Sequence, residues 1–155
     1  MSWKGALASI AIIFIAAVAV MGYQALTATK TFDGKWMTFE YANYLNVTEY
    51  DPPGEEGVEY VILRDFEGDA ILVIATDSPP EFAELVLANL SAEYGTELQG
   101  PSREDVDGVT CRFYYDDTLD KCAYIFEKQG MTFVVFSHVT LSDESENIIK
   151  SIKPK

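Results

Sequence analysis

From Val109 to Thr140 the chain reads VTCRFYYDDTLDKCAYIFEKQGMTFVVFSHVT. Three runs rich in aromatic and β-branched residues, Val109–Tyr115, Lys121–Glu127 and Met131–Thr140, are divided by Asp116-Asp117-Thr118-Leu119-Asp120 and by Lys128-Gln129-Gly130. Both dividers are turn chemistry, so the stretch predicts a three-stranded antiparallel meander. The third run, MTFVVFSHV, is apolar at odd and even positions alike, which places it inside a sheet covered on both faces.

Working outward, Ala70–Thr76 (AILVIAT) is a second strand apolar on both faces. Glu59–Phe66 precedes it across a Glu67-Gly68 hairpin turn. Lys35–Tyr41 (KWMTFEY) alternates as a strand, Thr27–Gly34 reads as a linker, and Asn43–Gly57, with Asp51-Pro52-Pro53-Gly54, reads as a loop. A helix follows Thr76. Ser78 is its expected N-cap, Pro79 its first residue, Phe82, Leu85, Val86 and Leu90 its buried stripe continued by Tyr94, and Gly95 its stop. Glu97–Gln99 is a short strand before a polar loop that runs through Asp107-Gly108. Asp143–Lys153 predicts a terminal helix, acidic at its start and basic at its end, buried through Ile148, Ile149 and Ile152 and stopped by Pro154. The fold class is therefore α+β, an antiparallel sheet packed with two helices.

The other end of the chain differs in kind. No charged side chain lies between Lys4 and Lys30, and Ala6–Leu26 (ALASIAIIFIAAVAVMGYQAL) is 21 residues long. As a helix it spans roughly 30 Å, the thickness of a bilayer core. Residues 1–29 are thus a membrane anchor or leader, and residues 30–155 a single domain. An uncleaved single-pass anchor fits the length best. A cleaved secretory signal ending near Ala25–Thr29 is a second reading. A third is a short leader cut after Lys4-Gly5, which resembles those of archaeal type IV pilins. The flanking positive charges put the N-terminus in the cytoplasm and the domain outside.

From Thr31 onward there are 25 Asp and Glu against nine Lys and Arg, a formal charge near −16. That surface excludes nucleic acid as a partner and favours solubility or cationic partners. Cys111 and Cys122 fall on one face of the first two meander strands. A four-residue loop at Asp116–Leu119 would bring them close, and an external location favours oxidation, so a disulfide is expected. Asn46-Val47-Thr48 is a glycosylation sequon in a loop-like stretch, which makes Asn46 an acceptor where the host glycosylates, whereas Asn89 of Asn89-Leu90-Ser91 lies in a helix.

Catalytic sets are absent from the sequence. There is no G-x-S-x-G, P-loop, dinucleotide-binding or H-E-x-x-H motif. His138 sits on a strand beside Ser137, so the two face opposite sides of the sheet and form no dyad. Asp65, Glu67 and Asp69 share one turn and Asp116, Asp117 and Asp120 another, but neither follows the EF-hand ligand series. No metal or cofactor is expected. Tyr41, Tyr44, Tyr50, Tyr60, Tyr114 and Tyr115 are candidate anchors for a protein partner.

The order of features carries a resemblance. An apolar N-terminus leads into the aromatic strand Trp36–Tyr41, then a hairpin, a helix, the Val106-Asp107-Gly108-Val109 step into the meander, and a final Ile148-Ile149-Lys150-Ser151-Ile152-Lys153 helix. Across Trp36–Lys153 this resembles the PsbP/Mog1-like α-β-α sandwich proteins, particularly the small membrane-anchored prokaryotic forms. The resemblance implies a non-catalytic accessory or binding role and assigns no site residues. The expected function is a membrane-anchored, extracytoplasmic accessory protein that contacts a protein partner. The alternative is a pilin-like subunit of a surface filament.

Overall fold

The computed structural model describes residues 28–118 and 120–155, so the apolar segment Ala6–Leu26 lies outside the described residues. Among the described residues no helix is long and apolar enough to cross a membrane. The elements run β1 (Thr29–Asp33), β2 (Met37–Ala42), β3 (Asn46–Asp51), β4 (Val58–Arg64), β5 (Ala70–Thr76), α1 (Pro80–Glu93), β6 (Gln99–Val106), β7 (Val109–Asp116), β8 (Lys121–Lys128), β9 (Met131–His138), a 3-10 turn (Val139–Leu141), α2 (Ser142–Ser151) and β10 (Lys153–Pro154).

A seven-stranded antiparallel sheet, ordered β3-β4-β5-β9-β8-β7-β6, forms the central layer. The two strands expected to be covered on both faces, β5 and β9, are neighbours near its middle. Their alternation divides the core. Ile71, Val73, Ala75, Phe133 and Val135 face one side, with Cys122, Tyr124 and Phe126 of β8. Leu72, Ile74, Val134 and Phe136 face the other, with Ala123 and Ile125. The first side is covered by α2 and by a small antiparallel sheet ordered β1-β2-β10. The second is covered by α1, which inserts Ala83 and Leu87.

Four strands depart from the sequence reading. The linker contains β1, the loop Asn43–Gly57 contains β3, the polar loop after Gln99 is β6, and Lys153–Pro154 pairs with β2. All lie at sheet edges and carry few apolar residues. β3 is exposed along its whole length, and in β6 only Val106 is buried. Their positions are set by main-chain pairing with a neighbour, not by a hydrophobic pattern of their own. The start of α1 also shifts by one residue. Pro79 is the N-cap without a side-chain cap bond, and Ser78 directs its N–H to Thr76 Oγ1 at 3.2 Å. Gly95 ends the helix with a positive φ of 63°, as its type allows.

The terminal helix has the expected charge arrangement, with Asp143 and Glu144 in its first turn and Lys150 in its last. Its C-terminal carbonyls gain a further partner from the sheet. Lys128 Nζ donates to Ile149 O at 2.7 Å and Ile152 O at 2.9 Å. Burial pulls this ammonium's pKa below the ordinary lysine value.

The small sheet is fastened to the large one by Glu59 of β4, whose side chain is fully buried. Its Oε1 accepts Lys35 N–H at 2.6 Å and Tyr50 O–H at 2.7 Å, and its Oε2 accepts Trp36 N–H at 2.9 Å and Met37 N–H at 3.1 Å. The β1–β2 turn thus lays three successive amides on one carboxylate. Gly34 makes room for it, since a Cβ there would lie 2.5 Å from Glu59 Oε1 and 2.7 Å from the Phe32 ring.

Glu59→Ala leaves several buried donors without an acceptor, each costing about 1–3 kcal/mol, so a loss of at least ~3 kcal/mol is expected in urea unfolding. Gly34→Ala is expected to destabilise the same turn by steric pressure. An unchanged urea midpoint in both variants would refute this account. Tyr50 gives the pH signature. Burial, then its hydrogen bond to Glu59, push its phenol from 10.0 up to about 12. The folded pKa is the higher one, so this stabilisation is complete below about pH 10 and fades as pH rises toward 12. Phenolate absorbance should therefore rise together with alkaline unfolding, and Tyr50→Phe should weaken that coupling.

Candidate functional site

Helix α1 makes its closest approach over β8 and β9, and its flank buries Ile62, Leu72 and Ile74 but leaves Val58 and Tyr60 of β4 partly exposed. Between the helix flank and strands β4 and β5, with Glu49 of β3 at the rim, runs a groove of about 810 Å³. Its floor is the even-numbered face of β4 and β5, namely Val58, Tyr60, Ile62, Leu72 and Ile74. Its wall is the flank of α1, with Phe82, Leu85, Val86 and Leu90, closed at one end by Tyr94. Tyr94 stacks on Phe136 with ring centroids 5.9 Å apart.

The helix wall explains a departure from the sequence reading. The expected buried stripe is half-buried at Phe82, Val86 and Leu90, and Leu85 is 65% exposed. The residues that lock into the sheet are Ala83 and Leu87. At 100° per residue, the apolar positions from Leu85 round to Leu87 spread over about 200°, twice what one sheet contact needs. That excess width was the signal in the sequence for a second apolar face.

The charged groups lining the groove are Glu49, Glu56 and Glu93, all exposed carboxylates, with no Lys or Arg among the lining residues. Tyr60 O–H donates to Glu49 Oε1 at 2.6 Å. That bond, then burial, push the phenol to about 12, so it remains a neutral donor at physiological pH. The groove therefore offers apolar surface and negative charge. It presents no nucleophile paired with a base.

Of the six tyrosines singled out as anchors, Tyr60 alone lines this groove. Tyr41 belongs to the core, Tyr44 donates to Glu144, Tyr50 serves Glu59, Tyr114 lies 3.2 Å from Glu84, and Tyr115 stacks with Phe113. Asn46 is not in a loop. It is exposed on edge strand β3, 3.3 Å from Lys30 Nζ. Asn89, the weaker sequon, lines the groove.

His138 and Ser137 face opposite sides of the sheet. His138 Nδ1 accepts the Ala70 N–H at 2.9 Å, and Nε2 lies 2.5 Å from Lys121 Nζ. Burial lowers the pKa of Lys121. Ser137 meets Ser145 Oγ at 2.9 Å beneath α2. Both residues thus tie strand ends and helix together. The Asp65, Glu67 and Asp69 carboxylates lie within 4.8 Å of one another, but Asp65 Oδ1 accepts the N–H groups of Glu67 and Asp69, and Asp69 Oδ2 accepts Thr140 O–H. Asp116 accepts Thr96 O–H and Thr118 N–H. These acids hold their own turns.

The expected disulfide is overturned. Cys111 and Cys122 share one face of the sheet, but both are free and buried. The β7–β8 hairpin closes on Asp116↔Lys121, which places Tyr115 opposite Cys122 and Arg112 opposite Ile125. Cys111 therefore falls beside Phe126, four residues along the strand from Cys122, or about 13 Å. A disulfide requires Cα atoms within ~7 Å. Burial raises the Cys111 thiol from 9.0 to about 11 and raises Cys122 as well. Without reductant, native protein at pH 8 should react slowly with a thiol reagent, and unfolded protein should release two thiols. A Cys111–Cys122 linked peptide in a non-reducing map would contradict this register.

No family model matches the chain, and no curated protein matches it. Similarity is found among solved structures. A crystal structure from Bacteroides thetaiotaomicron aligns with a TM-score of 0.50 at 13% identity, covering 81% of this chain and 48% of that one. This chain thus spans about half the length of the Bacteroides protein. The solution structure of cyanobacterial PsbP (CyanoP) from Synechocystis aligns with a TM-score of 0.54 at 13% identity, covering 83% of this chain and 93% of that one. The antiparallel sheet with its two helices is a PsbP-like fold.

Proposed function

We propose that this chain is a membrane-anchored, extracytoplasmic accessory protein whose domain binds a protein partner and performs no chemistry of its own. The observation that carries this reading is the half-buried apolar groove beside α1, whose wall and floor bring together Phe82, Leu85, Val86, Leu90, Val58 and Tyr60. Contiguous apolar surface rimmed by polar groups marks an interaction site in a soluble domain. The anchor rests on Ala6–Leu26, whose length and lack of charge suit a bilayer span. A PsbP-like domain fits an accessory role, and the His138 and Ser137 side chains are engaged in tying elements together.

A photo-crosslinking residue at Leu85, compared with one at the exposed Glu104 on the far edge strand, tests the reading in native membranes. A discrete adduct at Leu85 that is missing at Glu104 is expected, along with retention in the pellet after alkaline carbonate washing. Equal labelling at both positions would refute a groove partner, and release by carbonate would refute the anchor. An intact mass lacking Met1–Gly5 would instead favour the filament subunit.

A further inference from the structure

If the groove is a binding site, as proposed above, its width, floor and rim specify the occupant more closely than "a protein". β3, β4 and β5 are adjacent strands at one side of the seven-stranded sheet. β4 and β5 form the floor and β3 supplies only the rim carboxylate Glu49, so from that rim to β5 is two strand spacings, about 10 Å. That is the diameter of one α-helix and the ordinary spacing between packed helices. α1 is 14 residues long, so the wall it provides runs about 20 Å. A helix laid beside α1 would meet the half-buried floor residues Val58 and Tyr60 and the flank residues Leu85 and Val86, and would extend the helical layer across the sheet.

The rim sets the charge of that helix. Glu49 on β3, Glu56 before β4, and Glu93 at the C-terminal end of α1 line the groove. Arg64 and Lys121 line a small cavity of about 60 Å³ that adjoins the groove through Ile62, Leu72 and Tyr94 but are not among the groove's own lining residues. A second copy of this groove would bring the same carboxylates against one another, which disfavours a symmetric dimer through this face. An anionic lipid surface is repelled for the same reason. We infer that the groove takes a cationic amphipathic α-helix from a partner protein, its apolar stripe on Val58, Tyr60, Leu85 and Val86 and its Lys or Arg side chains reaching Glu49, Glu56 and Glu93. This is helix-in-groove recognition with the rim supplying selection by charge.

The test uses the purified full-length chain in a nonionic detergent and three fluorescent, amidated peptides of about 14 residues, matched in length to α1. All three carry the same Leu stripe at helical spacing, with Lys, Glu or Ser on the polar face. The Lys peptide should bind about tenfold more tightly than the Glu peptide, the sum expected of a few exposed ion pairs, and the gap should narrow in high salt. Net charge alone attracts cations, so two variants of equal charge separate the causes. Glu49→Gln with Glu56→Gln and Glu93→Gln should remove most of the preference. Glu67→Gln with Glu104→Gln and Glu127→Gln, all exposed and away from the groove, should leave it in place. Circular dichroism confirms that each variant is folded. Equal loss in both triple variants, or no preference at all, overturns the charge selection. If all three peptides bind equally and Leu85→Glu abolishes that binding, the groove reading stands and the cationic helix falls. If no peptide binds, both fall.

Discussion

Glu59 carries a carboxylate into a fully buried position and meets it with four donors, three of them consecutive main-chain amides. Burying such a group is costly unless its hydrogen bonds are satisfied, so the contact is nearly all-or-none. The β1–β2 turn must adopt the conformation that presents Lys35, Trp36 and Met37 together. Once it does, β2 is held over the large sheet and Met37, Phe39 and Tyr41 enter the core on that side. β10 then pairs with β2 at Thr38 and Met37, and Lys155 returns its N–H to Trp36 O at 2.9 Å. Edge strand β3 is drawn in through Tyr50, whose ring also packs edge-on to Phe32 at 5.3 Å. One acidic side chain thereby coordinates the first three strands and the last.

How much of this was legible in the sequence depends on where each strand obtains its stability. β5 and β9 announce themselves because both faces are buried and every residue must be apolar or small. β7 and β8 follow from the aromatic runs and the Asp-rich turn. β3, β6 and β10 gain theirs from ladder hydrogen bonds to a single neighbour, and sequences such as NVTEYD or QGPSREDV leave no periodic trace of that. Their charges also keep the sheet edges from pairing with other chains. Glu59 was hidden for a related reason. A lone acid in a strand reads as a solvent-facing residue unless the turn that caps it is known.

The groove was half-legible. The apolar positions of α1 were apparent, but a single helix drawn from sequence is assumed to press its whole apolar arc against one surface. Packing decided otherwise. Ala83 and Leu87 allow close approach to Ala123 and Ile125, which rotates the bulkier Leu85 and Phe82 toward the open strands. The cysteines show the opposite failure, where the shared face was readable and the register was not. Sliding the four-residue loop by one residue, from 116–119 to 117–120, moves cross-strand neighbours by two, and Asp116, which pairs with Lys121, also accepts the Thr96 O–H from outside the hairpin.

The large sheet is two meanders, β3-β4-β5 and β6-β7-β8-β9, joined along the single line where Ile71–Thr76 meets Thr132–Ser137. Each meander can zip from its own turns, because its pairings link neighbours in sequence. The joining line cannot. Its partners are separated by α1 and the whole of β6, β7 and β8, and closing that loop costs chain entropy before any contact repays it. Pairing within each meander therefore costs less chain entropy than pairing between the two. Unpaired from one another, β5 and β9 would each present a long apolar edge, the kind of surface on which chains aggregate. The surplus of negative charge outside those strands opposes such contact, because like chains repel one another whether or not the joining line is closed.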